Sequence, residues 1–477
     1  MRHNDNKNRG GPARHPPLPQ MSAKMRAKLI LTLLAMMGLM ACEKQNNNFY
    51  GVVEGFYGRP WGTEGRKSMI EFLGENGLDL YVYGPKDDPY HTEKWAEPYP
   101  EKEREDFKML LATAKRSKVK FYWAIHLGSA FKNIEEYEGK KEKVFAKLED
   151  MYAMGFRYLA VFFDDYGQPD AEMHTAICND IVIDFLRKKG DCGPLIVCPN
   201  IYHGDGANDY DRYLGEHMDP EIMLVWTGQK VCCDIDPEYA KFATDNYKRP
   251  PLVWWNWPVN DYSRSNLIIG RLYGLPDFPF SGIMLNPMEN CEASKIGIYS
   301  FAQWAKDKKN FDSQKVWEDS FRKLYPEPVA SAMQTLARHN SGTGPNRSWY
   351  EKLESEGITD FPKAFADLLE ATETLKKELP KTDAKLFWEL EGWIDASCYL
   401  AKIGLLAEQL PTASAEEKQT ILKNIAELEK EKKAKGEEAR QRFADATFAS
   451  DKGRCVVPLS GTEILRPRIN KLIEAAR

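Results

Sequence analysis

The sequence predicts an α/β protein, a (β/α)8 TIM barrel followed by a C-terminal α-helical bundle. Three observations carry this. Eight short β-branched or aromatic runs recur between residues 49 and 286, and most are separated by amphipathic stretches of helical length. Eight such units in roughly 260 residues fit the arithmetic of a barrel. After residue 310 the strand-like runs stop, and Lys and Glu dominate. Of the 477 residues, 43% are hydrophobic and 29% charged, so a core and a solvated surface are both available. A largely disordered chain is excluded.

The predicted strands are 50–55, 78–84, 120–126, 158–165, 194–200, 222–228, 251–257 and 282–286. Their near-continuous apolar character argues for parallel strands buried on both faces. Stretches 65–76, 103–117, 142–155 and 171–189 read as helices between them. An open doubly wound sheet is the weaker alternative, because no Gly-x-Gly-x-x-Gly turn follows the first run. The runs end in Glu54-Gly55-Phe56-Tyr57, Lys86-Asp87-Asp88, His126, Asp164-Asp165, Asn200-Ile201-Tyr202, Trp226-Thr227, Trp254-Trp255-Asn256 and Asn286-Pro287. A barrel gathers such ends at one rim, where active sites sit. Carboxylates, amides, a lysine and aromatics converging there make a carbohydrate-like pocket. Aromatics reach 12% of the chain, which suits a ligand cleft. Stretches 361–379, 384–409 and 415–443 have helical spacing, as in Ile421, Leu422, Ile425 and Leu428. The Glu/Lys run 427–438 reads as a solvated helix face. The tail from Asp451 carries no clear pattern. The domains are therefore 1–48, 49–310 and 311–477.

Residues 1–48 read as an export signal and short tether. Lys24, Arg26 and Lys28 precede an apolar run, 29–40, that is too short to span a bilayer. Leu39-Met40-Ala41-Cys42 resembles the lipobox of bacterial lipoproteins, in which the cysteine is lipidated and becomes the first residue. An ordinary secretory signal is the alternative, and Met21 or Met25 could be the start. Removing residues 1–41 leaves 59 basic against 70 acidic groups, a net charge of −11. Charge would then not draw the chain to anionic lipid; an acyl anchor on Cys42 would hold it. The expected location is the bacterial cell envelope. With no long basic run after the first forty residues, general nucleic-acid binding has little support. Eight further cysteines form no C-x-x-C pair, so neither a zinc site nor a disulfide framework is indicated. Free thiols are expected, with Cys192–Cys198 the one conceivable bridge. Nothing calls for a metal or a cofactor.

Phe162-Phe163-Asp164-Asp165 sets two acids at the end of an apolar strand. Two carboxylates in one site push their pKa values apart, leaving one ionised and one holding a proton. An N-cap acid beside a loop acid, or a cation site, would use the same residues. Asp87-Asp88 is a second pair of equal standing, and composition does not choose between them.

The segments GVVEGFYGRPW (51–61), YVYGPKDDPYH (81–91), FYWAIHLG (121–128), VFFDDYG (161–167), WWNWPVNDY (254–262) and NPMEN (286–290) resemble glycoside hydrolase family 84. These are β-N-acetylglucosaminidases that include O-GlcNAcases and hyaluronidase-like enzymes. The resemblance runs from about residue 50 to 310 and implies a barrel with a retaining, substrate-assisted mechanism. The sugar's 2-acetamido oxygen attacks its own anomeric carbon, and water then opens the oxazoline. This is an exception to the two-carboxylate scheme. On the resemblance, Asp164 holds the acetamide N–H, and Asp165 protonates the leaving oxygen and then deprotonates water. Tyr202 matches the tyrosine on the acetamido oxygen. Gly55 (main chain) and Lys86 match groups around the 3-hydroxyl, and Asp261 the carboxylate at O4 and O6. Asn256 and Asn286 match pocket amides, and Tyr57 and Trp254 pocket-wall aromatics. His126 has no catalytic role in the family and is expected to make a structural hydrogen bond.

Bacterial relatives commonly carry a small α/β domain before the barrel. Here about seven residues separate Cys42 from the first run, so that domain is expected to be absent, and reach into polymeric substrate with it. The predicted partner is a carbohydrate with terminal β-GlcNAc, on a glycoprotein, a mucin or a glycosaminoglycan fragment. Two other classes compete with an exo-enzyme. One is a barrel glycosidase acting within N-acetylated polysaccharide; the other is a non-catalytic sugar-binding lipoprotein.

Overall fold

In the computed structural model, which describes residues 49–273, 277–340, 358–447, 455–461 and 464–477, each of the eight apolar runs forms a strand. They are β1 (Phe49–Glu54), β2 (Leu80–Tyr83), β3 (Lys120–His126), β4 (Tyr158–Phe162), β5 (Ile196–Cys198), β6 (Met223–Trp226), β7 (Leu252–Pro258) and β8 (Gly282–Asn286). They close in sequence order into a parallel barrel, with β8 returning to pair with β1. The expected export signal and Cys42 lie outside the described residues.

Side-chain alternation splits each strand between two layers. Val53, Leu80, Val82, Tyr122, Ala124, Ala160 and Phe162 fill the barrel interior. Their neighbours Val52, Tyr81, Tyr83, Phe121, Trp123 and Ile125 join the core beneath the helices. Both faces are buried, which is why the runs are continuously apolar.

Helices follow six of the first seven strands: Gly62–Glu75, Glu101–Ser117, Ile134–Met154, Ala171–Asp180, Asp209–His217 and Pro237–Tyr247. The fourth continues through a π-helical turn, Ile181–Leu186, into Arg187–Lys189. The third starts eight residues before the expected 142. Asn133 accepts from Glu136 N at 3.0 Å, and Glu136 reaches back to Lys132 N at 2.9 Å. This cap extends the helix over a stretch whose apolar period is weak. Between β7 and β8 the described residues hold no helix. The helix Ser313–Leu324 reaches that connection, where Trp317 Nε1 donates to Ile269 O at 2.9 Å.

Helices Phe361–Thr382, Ala384–Ala407 and Ala415–Asp445 stand where the helical spacing places them, and the unassigned tail contains a fourth, Leu465–Ala476. Phe365, Leu400, Ile403, Ile425, Leu465 and Ile469 form their shared core. The group docks onto the barrel through helix Ala384–Ala407. Trp393 Nε1 donates to Ser265 O at 2.9 Å. The Glu389 carboxylate accepts from Glu292 N and Ala293 N, both at 3.1 Å. It thereby caps the helix Cys291–Lys306 that follows β8.

Candidate active site

All ten predicted pocket residues line one cavity of about 190 Å³ at the carboxyl ends of the strands. Gly55 and Tyr57 come from the loop after β1, Lys86 from that after β2, and Asp164 and Asp165 from that after β4. Tyr202 follows β5, Trp254 and Asn256 lie on β7 with Asp261 beyond, and Asn286 ends β8. Gly55 is required by close approach: a Cβ there would sit 2.3 Å from the Trp254 ring.

Strand β4 stops at Phe162, three residues before the predicted end, and this brings the two aspartates together. On a continuing strand their side chains would point oppositely. Asp165 instead adopts φ 62°, a left-handed conformation that Asp tolerates better than most residues. The turn is held at several points. Tyr166 N donates to Asp164 O at 2.8 Å, and Asn200 Nδ2 to Phe163 O at 2.9 Å and Tyr166 O at 3.1 Å. His126 Nε2 contacts Asp164 O at 2.7 Å, while Gly128 N donates to its Nδ1 at 3.3 Å. That pattern places the ring proton on Nε2, and burial keeps the imidazole neutral by lowering its pKa. The expected structural role of His126 is what this geometry provides.

The carboxylates sit at different depths. The Asp164 side chain is 6% exposed and that of Asp165 30%. Lys86 Nζ lies between them, 2.5 Å from Asp164 Oδ2 and 3.2 Å from Asp165 Oδ2. Burial alone would lower the Lys86 pKa, but the two carboxylates hold it well above the ordinary value. Asp165 also accepts from Tyr57 Oη and Tyr202 Oη, each at 2.9 Å. Burial raises its pKa, yet Lys86 and the two hydroxyls outweigh that and hold it below the usual carboxylate range. The expectation that one acid retains a proton is therefore not met by Asp165 in this arrangement, because a cation stands between the pair. Asp164 Oδ1 is buried with no hydrogen-bond partner among the described residues, His126 Nε2 being 3.6 Å away.

The far wall is an amide network. Asn286 Nδ2 and Trp254 Nε1 both donate to Asn256 Oδ1, at 2.9 and 3.0 Å. Asn256 Nδ2 donates to Val231 O at 2.6 Å. Asp261 Oδ2 accepts from Tyr57 N at 3.0 Å, and burial pushes its pKa up despite that bond and the charges of Arg264 and Lys86.

The rival pair Asp87-Asp88 does not line the cavity. Asp88 Oδ2 accepts from Tyr83 Oη at 2.8 Å and Tyr99 Oη at 2.7 Å, and Oδ1 from Tyr90 N at 2.8 Å. Asp88 is thus a loop anchor. Burial, with Glu54 nearby, pushes Asp87 up to about 7. Sequence reasoning placed Thr227 at the rim without a role and missed Cys198, Val231, Cys232, Val259 and Tyr262 as lining residues. Tyr262 directly follows Asp261 and Thr227 ends a strand run, so both carried a positional signal. All eight described cysteines are free, Cys192 and Cys198 included.

Known proteins resemble this chain over the barrel that carries the cavity. Residues 50–338 match the family model for beta-N-acetylglucosaminidase. The protein O-GlcNAcases of Rattus norvegicus and Mus musculus are each 32% identical over 281 residues, 54% of this chain. The chain spans only 30% of the length of these relatives. The solved structure of CpGH84B superposes with a TM-score of 0.71 at 26% identity, over 88% of this chain and 76% of that one. A mutant O-GlcNAc hydrolase from Thermobaculum terrenum gives 0.69 at 25% identity, over 90% and 95%. With the family model covering the whole barrel and every cavity residue but none of the C-terminal helices beyond Arg338, the chain belongs to the β-N-acetylglucosaminidases of glycoside hydrolase family 84.

Proposed function

We propose that the protein is an exo-β-N-acetylglucosaminidase that removes terminal β-linked GlcNAc with retention, through an oxazoline formed by the substrate's own acetamide. The unpartnered Oδ1 of Asp164, buried in the cavity beside Lys86, carries this reading. A buried carboxylate oxygen without a donor is costly, and an acetamide N–H would satisfy it. That bond polarises the amide, so its carbonyl oxygen becomes a stronger nucleophile toward the anomeric carbon. The acetamide is already attached to the ring, which supplies a high effective molarity. As the glycosidic bond breaks, Asp165 gives its proton to the leaving oxygen. Water then adds to the anomeric carbon, Asp165 takes its proton, and the acetamide is released.

Asp165 must hold a proton for the first step, yet Lys86, Tyr57 and Tyr202 favour its ionised form. The same groups supply the proposed contacts to the sugar. Tyr202 turning to the acetamido oxygen, and Lys86 to the 3-hydroxyl, would withdraw two of the three supports. The pKa of Asp165 then rises as the sugar seats. The unpartnered Oδ1 of Asn286 and the Asp261 carboxylate offer acceptors for the far hydroxyls. A cavity of about 190 Å³ suits one terminal sugar rather than several subsites.

The test is a panel of aryl glycosides. β-GlcNAc should be cleaved, with the β-anomer as first product by NMR, and β-glucoside hardly at all. Comparable rates on the two would overturn the assisted mechanism. The natural aglycone would be a glycoprotein, a mucin or a glycosaminoglycan fragment. We also propose export and acylation at Cys42. Cys42→Ala should release the protein from the membrane fraction or stall its processing, since stable anchoring needs acyl chains. Normal processing with full membrane retention would refute the anchor.

A further inference from the structure

The loop 55–61, which carries Gly55 and Tyr57, is gripped by the barrel loops that follow β7 and β8. Tyr57 N donates to Asp261 Oδ2 at 3.0 Å, Arg59 N to Glu289 Oε2 at 2.7 Å, and Trp61 Nε1 to Met288 O at 3.0 Å. Gly58 sits at φ 129°, and a Cβ there would lie 2.4 Å from Glu289 Oε2. The chain thus passes closely over that carboxylate. Arg59 then turns toward the C-terminal helices. Its guanidinium donates to Glu289 O at 3.3 Å, and its Cζ lies 4.5 Å from the Trp388 ring centroid and 5.2 Å from that of Phe443. Trp388 belongs to helix Ala384–Ala407 and Phe443 to helix Ala415–Asp445. Arg442 lies over the same two rings and donates to Trp388 O at 3.3 Å. Next along the helix, Glu389 caps the segment after β8 that supplies Glu289. A desolvated guanidinium on two aromatic faces is a directional contact that a lysine or an apolar residue reproduces only in part.

We propose that Arg59 is a positioning residue, seated on Trp388 and Phe443 so that the C-terminal helices fix where the Tyr57 hydroxyl meets Asp165. Arg59 is two residues from Tyr57, and the 2.9 Å bond from Tyr57 to Asp165 is lost on a shift of about 1 Å. The inference rests on the reading of Asp165 as the acid–base group. It gives the helical region a part in catalysis beyond scaffolding.

The experiment is the pH profile of kcat/KM on aryl β-GlcNAc. It compares wild type, Arg59→Ala, Arg59→Lys, Trp388→Leu, Tyr57→Phe and the Arg59→Ala/Tyr57→Phe double variant, each checked for cooperative unfolding. Arg59→Ala and Trp388→Leu should lower kcat/KM by about tenfold, the transition-state equivalent of ~1.4 kcal/mol. They should also move the basic limb to higher pH, as Tyr57→Phe does, because Asp165 loses a donor. Arg59→Lys should recover part of both, and the double variant should be no worse than Tyr57→Phe. The exposed Lys435→Ala should behave as wild type. A folded Arg59→Ala with a wild-type profile, or effects that add fully to Tyr57→Phe, would overturn the proposal. Should Arg59→Ala not fold, Trp388→Leu decides, since Trp388 is 36% exposed and the variant leaves every barrel residue in place. Failure of the acid–base reading would look different: Asp165→Asn would then keep its activity on poor leaving groups.

Discussion

Asp164 and Asp165 are neighbours in sequence but differ in depth, partners and expected behaviour on mutation. Asp165→Asn removes the proton donor, so its cost should grow with leaving-group pKa, small for activated phenols and large for sugar alcohols. Asp164→Asn weakens acetamide polarisation and should lose activity even with the best leaving group. The basic limb of the pH profile should move in Asp165→Asn. Identical leaving-group dependence in the two variants would show that the roles are not separate. The Lys86–Tyr57–Tyr202 cradle adds an expectation of its own. If a neutral acetamido-sugar analogue draws Tyr202 and Lys86 from Asp165, binding takes up protons, and affinity tightens as pH falls through the bound-state pKa toward the lower free-state one. Calorimetry in two buffers of different ionisation enthalpy would detect this; no uptake at pH 5 would count against it. The pocket was legible because its hydrogen-bonding residues sit at strand ends inside recognisable motifs. Val231 and Cys232 were not, because a loop alone sets their approach and neither residue type announces sugar contact. The positive φ of Asp165 was also hidden, since side-chain identity does not report where a strand stops.

At the scale of elements, strand identity was readable because burial on both faces leaves an uninterrupted apolar signature. Strand ends were less so: predicted run 194–200 shrinks to β5, Ile196–Cys198, where the barrel's pairing ends before the apolar run does. Helix Ile134–Met154 began early through a cap rather than through its apolar period. The most consequential cap was out of reach of sequence, because Glu389 and the helix end it serves are about a hundred residues apart. Its carboxylate replaces the local N-cap side chain of Cys291–Lys306, where Asn290 makes no such bond. Loss of a cap costs roughly 0.5–2 kcal/mol. Glu389→Ala should therefore lower the melting temperature clearly, and Glu389→Gln, which keeps an acceptor, less. Equal losses in the two variants would show that the carboxylate acts through its charge and not as a hydrogen-bonding cap.

Over the whole molecule, buried titratable groups set opposing pH slopes. Burial pushes Asp87, Asp211 and Glu389 each up to about 7. Between their unfolded values near pH ~4 and pH 7, the native state holds more protons than the unfolded chain, so stability falls as pH rises. Burial also lowers His91 to about 3, and His174 and His339 to about 4. Below an unfolded value of ~6.5 the unfolded chain then binds the extra protons, so stability rises with pH over nearly the same window. His126 is lowered and Asp261 raised by burial in the same way, so four groups act in each direction, and the wild-type melting temperature should change little between pH 4.5 and 6.5. Removing one side unmasks the other. Asp87→Asn takes away a carboxyl that becomes a costly buried charge as pH rises, and it leaves the pocket lining intact. Relative to wild type, this variant should gain about 2–4 °C on going from pH 4.5 to pH 7.5, with most of the gain below pH 7. The variant alone should then lose stability on acidification, because four histidines outweigh three remaining carboxyls. Thermal scans at four pH values on the two proteins would settle this, and a constant difference across the range would mean that Asp87 does not titrate near 7.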